Sequence, residues 1–210
     1  MPSRGRNSSN KTARNHSANW QFMQAGDCNM ESRVTTTDEQ LMSAAAEGDM
    51  DAFEVLVRRH QQGVLTVALR LLGDEHRAQD AAQEAFLRVL ESAPRYRPTA
   101  SFRTYLYRIL TRLCIDQYRR REPITHSELD SVSDDAETAP EALMRRERAE
   151  QVRQAIERLP ARQRAALVLQ HYEDMSYEEI GAVMKCSASS VDALLVRAKK
   201  KLRKWLSGTL

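Results

Sequence analysis

The last third of the chain is the part whose local structure the sequence constrains most. Two short amphipathic segments lie on either side of a break at Lys185-Cys186. The first segment begins with Ser176, and Glu179 follows three residues later, which is the spacing of a helix capping box. Apolar residues then recur on one face of this segment, at Ile180, Val183 and Met184. The pattern predicts a short helix that ends at the break.

The second segment predicts a longer helix with a basic end. Ser187 or Ser189 can cap it, and apolar residues recur at helical spacing, at Val191, Leu194, Leu195 and Ala198. From Arg197 to Lys204 there are six Lys or Arg and no acid. Together the segments form a helix-turn-helix pattern whose second helix suits the DNA major groove. An ordinary helical hairpin with a solvated basic end is the alternative that the motif alone leaves open.

Composition excludes several other classes of protein. No apolar run of the 210-residue chain approaches the ~20 residues of a membrane span. The polar N-terminus lacks the apolar core of a secretory signal, so we expect a cytoplasmic protein without membrane insertion. Isolated cysteines, scattered histidines and the lack of a glycine-rich phosphate loop predict no catalytic residue, metal or cofactor. The cysteines are Cys28, Cys114 and Cys186, and the histidines are His16, His60, His76, His126 and His171.

Helical periodicity and linker composition predict an all-α fold of two small helical domains. Residues 1–36 are polar without apolar periodicity, which predicts a disordered tail. Residues 37–121 predict a first domain that opens on the capping box of Thr37 and Gln40, with Gly73 as a left-handed helix cap. Residues 122–143 contain seven acids and no Lys or Arg, which predicts a flexible linker. Residues 144–208 predict the second domain, which contains the helix-turn-helix.

The predicted helix from about Glu75 to Ser92 has two distinct faces. Ala82, Ala85, Phe86 and Val89 recur on the inward face. Asp80, Gln83, Glu84, Leu87 and Glu91 share the opposite face. A leucine on a polar face indicates a surface for a partner, and a plain solvated face is the alternative.

Basic and aromatic residues alternate between Pro94 and Arg121, where there are eight Arg and one acid. Ser101 can cap a helix whose core stripe is Phe102, Leu106, Ile109, Leu110 and Leu113. Tyr105 lies on the other side with Arg108, Arg112 and Arg119. This combination favours single-stranded DNA, because arginines follow phosphates and aromatic rings stack on unpaired bases. Packing at the core edge is the alternative for Tyr105 and Tyr107.

Five motifs in register resemble the extracytoplasmic-function (ECF) sigma factors, a small two-domain branch of the bacterial sigma-70 family. They are Ala52–His60, Ala78–Phe86, Phe102–Ile109, Ile115–Arg120, and Arg158–Arg164 leading into Ser176–Ile180. The resemblance covers about Asp38 to Leu206. It implies an RNA polymerase subunit, not an enzyme, that recognises the −10 and −35 promoter elements and promotes DNA melting.

The resemblance also implies partners and site residues. A core-polymerase site on the β′ clamp helices would involve Asp80, Gln83, Glu84, Phe86 and Leu87. A −10 site would involve Tyr96, Arg97, Ser101, Phe102, Arg103, Tyr105, Arg108, Arg112, Arg119 and Arg120. A −35 site would involve Ser187, Ser189, Ser190, Asp192, Ala193, Val196, Arg197 and Lys200, in a domain that also contacts the β-flap. The family resemblance further implies control by an anti-sigma factor.

Several positions depart from the family's pattern. Tyr105 stands where the family often has Trp, and Arg112 where it often has Asn. Lys185 replaces a common turn glycine, at about 1 kcal/mol if its backbone is left-handed. Asp192 and Leu194 replace basic residues in the second helix. A repressor or activator that binds duplex DNA without polymerase would explain the helix-turn-helix, but not the polar helix face or the aromatic–basic helix.

Overall fold

The structure, a computed structural model, describes residues 36–98, 100–119 and 140–207. Within these ranges the chain forms helices and no β-strand, so the all-α prediction is confirmed. The helices are α1 Asp38–Ala46, α2 Met50–Leu72, α3 Glu75–Ser92, α4 Phe102–Arg119, α5 Pro140–Glu157, α6 Ala161–Tyr172, α7 Tyr177–Met184 and α8 Ala188–Leu206, with a 3-10 turn at Ala93–Arg95. The predicted tail up to residue 35 and residues 120–139 of the predicted linker region lie outside the described residues.

Local capping explains where most of these helices begin and end. The Thr37 hydroxyl accepts from the Gln40 amide at 3.3 Å, and the Gln40 side chain accepts from the Thr37 amide at 3.0 Å. Asp49 and Asp74 cap α2 and α3 through their carboxylates. Gly73 ends α2 with φ 67°, in the left-handed region that glycine reaches without steric cost. The capping box at Thr37 and the glycine cap are therefore confirmed.

Helix α5 begins at Pro140, earlier than the residue 144 predicted from the sequence. The predicted linker of residues 122–143 includes Pro140, a residue type that disrupts helix interiors. At the first helical position, however, proline lacks only an N–H that would have no intrahelical partner, and its fixed φ already suits the helix. Pro140 is therefore a helix-starting residue in this chain.

Each group of four helices has its own apolar core. In α1–α4, which we call the first half, fully buried side chains include Leu41, Leu56, Val64, Leu106 and Leu110. In α5–α8, the second half, they include Leu159, Leu169, Ile180, Val191 and Leu195. Burial of a leucine-sized side chain stabilises a fold by about 1.5–3 kcal/mol. Both cores therefore contribute substantially to the folded state.

The two halves are also in contact with each other. Helix α2 packs on α6, and α4 packs on α7, within one compact unit. The buried Arg164 of α6 donates to the Leu71 carbonyl of α2 at 2.7 Å, and its guanidinium lies 4.8 Å from the centre of the Tyr118 ring of α4. A buried guanidinium needs such acceptors, because burying an unpaired charge is costly. Arg164 therefore links the second half to two helices of the first.

In the part of the chain that the structure describes, no helix is long and apolar enough to cross a lipid bilayer.

Candidate polymerase and nucleic-acid interfaces

The outer face of α3 carries an apolar side chain within a polar stripe. Asp80 is exposed, Gln83 and Glu84 are partly exposed, and Leu87 keeps 47% of its surface accessible. Glu84 pairs with Arg88 one turn later at 2.7 Å. A half-exposed leucine among polar groups is a contact point that a protein partner can cover. The inward prediction for Phe86 is confirmed, since it is only 5% exposed. Its assignment as a contact residue is therefore wrong in this arrangement, because Phe86 packs in the core and positions α3.

Two tyrosines meet at the junction of α3 and α4. The rings of Tyr96 and Tyr105 lie edge to face with centroids 5.2 Å apart. The Tyr105 hydroxyl is 2.5 Å from the Ser92 hydroxyl at the end of α3. Burial raises the pKa of Tyr96, with further contributions from nearby Glu39, Tyr105 and Asp38. These two contacts hold the Tyr105 side chain in place, and the residue as a whole is only partly buried.

The start of α4 is fixed by residues that the family resemblance assigns to DNA. The Ser101 hydroxyl accepts from the Thr104 amide at 3.2 Å, as a cap does. Phe102 is fully buried, and its amide donates to the Glu39 carboxylate at 2.9 Å. The core prediction for Phe102 is therefore confirmed, and its assignment as a DNA-contacting side chain is wrong in this arrangement. An inward position at the first turn of a helix leaves no surface for a nucleotide.

The arginines of α4 have different environments. Arg103 donates to the carboxylate of Glu173 at 2.9 Å and also to its main-chain carbonyl. Arg108 donates to the Ala182 carbonyl of α7 at 3.1 Å. Arg112 is 77% exposed and lies 3.8 Å from Asp116. Arg97 and Arg119 are exposed, whereas Arg120 lies outside the described residues.

Tyr107 is packed between the two halves. It is only 1% exposed. Burial raises its pKa, and so does the hydrogen bond from its hydroxyl to the Glu173 carboxylate. For this tyrosine the packing interpretation is the one that the structure supports.

A basic cleft lies between the later turns of α4 and the end of α7. Its volume is about 510 Å³. Five cationic side chains line it, with one acid, Asp116: Arg108, Arg112, Arg119, Arg162 and Lys185. Helical spacing places the first three on one side of α4, but no local signal predicts that Arg162 and Lys185 face them. Such a concentration of positive charge is suited to phosphate groups.

The helix-turn-helix is built from α7 and α8. Ser176 and Glu179 form the expected capping box. Lys185 ends α7 with φ 51°, in the left-handed region, so the condition for the cost of about 1 kcal/mol relative to glycine is met at this position. The motif's spacing does not indicate a role for Gly181, where a Cβ atom would lie 2.6 Å from the Cys186 carbonyl oxygen. Gly181 allows the turn to fold back closely against α7.

Helix α8 presents a mixed polar and basic face. Ser187 caps it, accepting from the Ser190 amide at 3.2 Å, so Ser187 and not Ser189 is the N-cap. The apolar positions Val191, Leu195 and Ala198 are buried. All eight −35 candidates keep part of their surface accessible: Ser187, Ser189, Ser190, Asp192, Ala193, Val196, Arg197 and Lys200. Among them Val196 is 56% exposed, so it offers an apolar contact on an otherwise polar face.

Comparison with known proteins matches both halves to one family. The model of sigma-70 region 2 matches residues 56–123, and that of sigma-70 region 4 matches residues 149–202. RNA polymerase sigma-H factor of Pseudomonas aeruginosa is 33% identical over 82% of this chain and 95% of its own length. ECF RNA polymerase sigma factor SigE of Mycolicibacterium smegmatis is 36% identical over 83% of this chain and 71% of its own length. The chain therefore belongs to the sigma-70 family.

Solved structures share the fold of this chain. CnrH, in a complex with the cytosolic domain of CnrY, superposes with a TM-score of 0.64 and 27% identity, over 81% of this chain and 97% of its own. The sigma factor RpoE of Bartonella quintana, in a complex with the anti-sigma factor NepR, has a TM-score of 0.60 at 17% identity, over 74% of this chain and 96% of its own, which bears on the fold alone. Within the sigma-70 family, the chain is an ECF-type sigma factor, a subunit that binds core RNA polymerase, recognises promoter −10 and −35 elements and promotes melting.

Proposed function

We propose that three surfaces of this sigma factor have separate roles in transcription initiation. The α3 face of Asp80, Gln83, Glu84 and Leu87 docks on the β′ clamp helices of core polymerase. The junction of α3 and α4 and the arginines of α4 bind the −10 element. Helix α8 reads the −35 element, and the second half contacts the β-flap.

The −10 assignment rests on the tyrosine pair at the α3–α4 junction. Stacking on an unpaired base requires a ring that is fixed in direction and accessible on one side. Tyr105 suits this role, since Ser92 and Tyr96 hold its side chain while the residue as a whole is only partly buried. Arg97, Arg112 and Arg119 are exposed close by in sequence and can follow the phosphates. In this proposal Ser101 and Phe102 position the start of α4 and do not contact DNA.

The −35 assignment rests on the division of α8 into a buried and an accessible face. A helix N-terminus favours a phosphate near its unpaired N–H groups, and Ser189 and Ser190 lie in the first turn of α8. Asp192 points from the next part of the same accessible face and can accept a hydrogen bond from a cytosine amino group. The helix then presents Arg197 and Lys200 one to two turns further on.

An anti-sigma factor is the proposed regulator. The support is that two solved structures with this fold each contain a bound second protein: CnrH was solved with the cytosolic domain of CnrY, and RpoE with the anti-sigma factor NepR. A regulator of this kind would cover the polymerase and DNA surfaces together. In this scheme the protein acts in the cytoplasm by binding, without catalytic chemistry of its own.

Reconstituted transcription tests the assignment. Core polymerase and the purified chain are incubated with a library of promoter fragments, and transcripts are sequenced. We expect transcripts from a defined subset of promoters that core polymerase alone does not produce. Leu87→Glu should abolish this activity by removing polymerase binding, while Glu75→Gln, a change at an exposed residue in the first turn of the same helix, should retain it. If the chain binds duplex DNA but never co-purifies with core polymerase, a repressor or activator is the better assignment.

A further inference from the structure

We propose that, in the free chain, the second half closes over the −10 surface of α4, with Glu173 in the place of a DNA phosphate. The inference rests on the proposed function, because it takes Arg103 and Arg108 as −10 residues. It concerns a contact within one chain and needs no second protein.

The pairing of Arg103 with Glu173 is the centre of this contact. The Glu173 side chain is only 11% exposed, and its Oε2 atom accepts from Arg103 at 2.9 Å. The main-chain carbonyl of Glu173 accepts from the same guanidinium. Arginine binds phosphate and carboxylate oxygens with the same fork of N–H donors. A guanidinium that holds two oxygens of Glu173 has fewer donors left for a nucleotide phosphate.

A second arginine of the −10 surface is engaged by the end of α7. Arg108 donates to the carbonyl of Ala182, in the last turn of that helix. The last carbonyls of a helix lack intrahelical partners and carry partial negative charge, which attracts a cation. The α7 end therefore also offers Arg108 a substitute for a phosphate oxygen.

Helix α2 packs closely against the side chains of Tyr107 and Glu173. A Cβ atom on Gly63 would lie 2.6 Å from the Tyr107 hydroxyl and 3.0 Å from Glu173 Oε1. Only a glycine lets α2 approach this hydrogen-bonded pair without displacing it. Gly63 lies in the middle of α2, where glycine disfavours the helix by about 1 kcal/mol relative to alanine. Close approach to Tyr107 and Glu173 accounts for a glycine at a position where the helix itself would favour alanine.

Closure would mask DNA contacts without masking the polymerase contact. Leu87 and Asp80 on α3 stay exposed in this arrangement. When only a fraction of a protein population is in the binding-competent state, the apparent dissociation constant equals the intrinsic constant divided by that fraction. The free chain should therefore bind a −10 single strand weakly, and opening should increase the affinity.

Two variants open the contact in different ways. Glu173→Lys replaces the acceptor of Arg103 with a like charge. Gly63→Ala keeps the net charge and improves helix propensity, but its methyl group displaces Tyr107 and Glu173. The control is Glu178→Lys, which changes the net charge as much as Glu173→Lys does, at an exposed residue of the same half. None of these positions belongs to the proposed DNA surface.

Distance and DNA affinity are measured on the same proteins. Spin labels at Glu91→Cys and Lys204→Cys report the separation of the halves in a background of Cys28→Ser and Cys186→Ser. Cys114 can remain, because burial raises its pKa to about 12 and the thiol is inaccessible to the label. Fluorescence anisotropy of a labelled −10 single strand reports affinity at fixed salt.

We expect a longer label distance and roughly fivefold tighter binding of the single strand for Glu173→Lys than for Glu178→Lys, with Gly63→Ala changing both in the same direction. Unchanged label distances in both variants would overturn the closed arrangement, whatever the DNA affinity. If the labels separate but affinity stays at the control's level, the masking proposal is overturned, and the assignment of Arg103 and Arg108 to the −10 element is what has failed. A circular dichroism spectrum like that of the parent confirms that each variant is folded.

Discussion

Substitution of Gly181 by alanine should damage the turn between α7 and α8 even though alanine favours helices. In an open helical position the change would stabilise the protein by about 1 kcal/mol. Here the new Cβ would lie 2.6 Å from the Cys186 carbonyl oxygen, so the two atoms must separate by roughly 0.8 Å to reach ordinary contact. The Cys186 amide donates to the Gly181 carbonyl at 2.9 Å, so a separation strains the bond that closes the turn.

The expected magnitude follows from these opposing effects. Overpacking against rigid surroundings typically costs about 1–3 kcal/mol. Over most of that range this cost is larger than the gain of about 1 kcal/mol from the higher helix propensity of alanine. We expect a net loss of about 1 kcal/mol, which corresponds to a fall in melting temperature of roughly 2–4 °C for a domain of this size. Because Ser187 and the start of α8 follow the turn directly, affinity for the −35 duplex should fall by more than this stability loss alone would produce, by about tenfold.

The assay combines a thermal melt with anisotropy on a −35 duplex selected with the parent protein. Ala182→Gly, in the same helix, is the control for helix propensity, and it should lower stability without an effect on DNA binding beyond that loss. Adding Lys185→Gly to Gly181→Ala should recover part of the affinity, because a glycine lets the left-handed turn readjust. A rise in melting temperature with unchanged DNA affinity would refute the close approach at Gly181.

Three further predictions test the proposed surfaces. Glu84→Arg should weaken core-polymerase binding several-fold in a native pull-down, because it reverses charge within the interface. The control is the double exchange Glu84→Arg with Arg88→Glu, which restores the ion pair within the helix. If this exchange also restores polymerase binding, Glu84 acts only within α3. Tyr105→Ala should reduce open-complex formation by the equivalent of about 1–3 kcal/mol of lost stacking, measured by permanganate footprinting. A pre-melted promoter should restore the activity of this variant. Failure of that rescue, together with loss of helical signal, would indicate a packing role for Tyr105. Asp192→Ala should change base preference at one or two −35 positions in selection from a randomised library; an identical preferred sequence would show that Asp192 does not read a base.

Local signals in the sequence explain which parts of the fold could be predicted. Capping boxes at Thr37 and Ser176 act over three residues, and Gly73 and Lys185 each end a helix through their own backbone conformation. These determinants are contained in a few neighbouring residues. The helix starts at these two caps and the helix end at Gly73 therefore followed from the sequence, whereas the start of α5 at Pro140 did not.

Contacts between distant residues explain what the sequence could not predict. Arg164 lies in a segment that reads as an ordinary amphipathic helix, yet its partner Leu71 is far away along the chain. Glu173 likewise gave no local signal that it would meet Arg103 and Tyr107. The assignments of Phe86 and Phe102 failed for another reason. Family resemblance placed them in functional segments, although their own helical periodicity had already placed them inward.

The basic cleft between α4 and the second half gives the closed arrangement a dependence on ionic strength. Its cations repel one another, and most of them are exposed, as Arg112 is at 77%. Dissolved counterions screen exposed charges over about 8–10 Å at physiological concentration, but they screen the largely buried Glu173 much less. Added salt should therefore relieve the repulsion more than it weakens the ion pair, and so favour closure. Salt also weakens every phosphate contact through counterion release. Both effects act in the same direction. The affinity of the free chain for single-stranded DNA should therefore fall more steeply with salt than its number of phosphate contacts alone would predict.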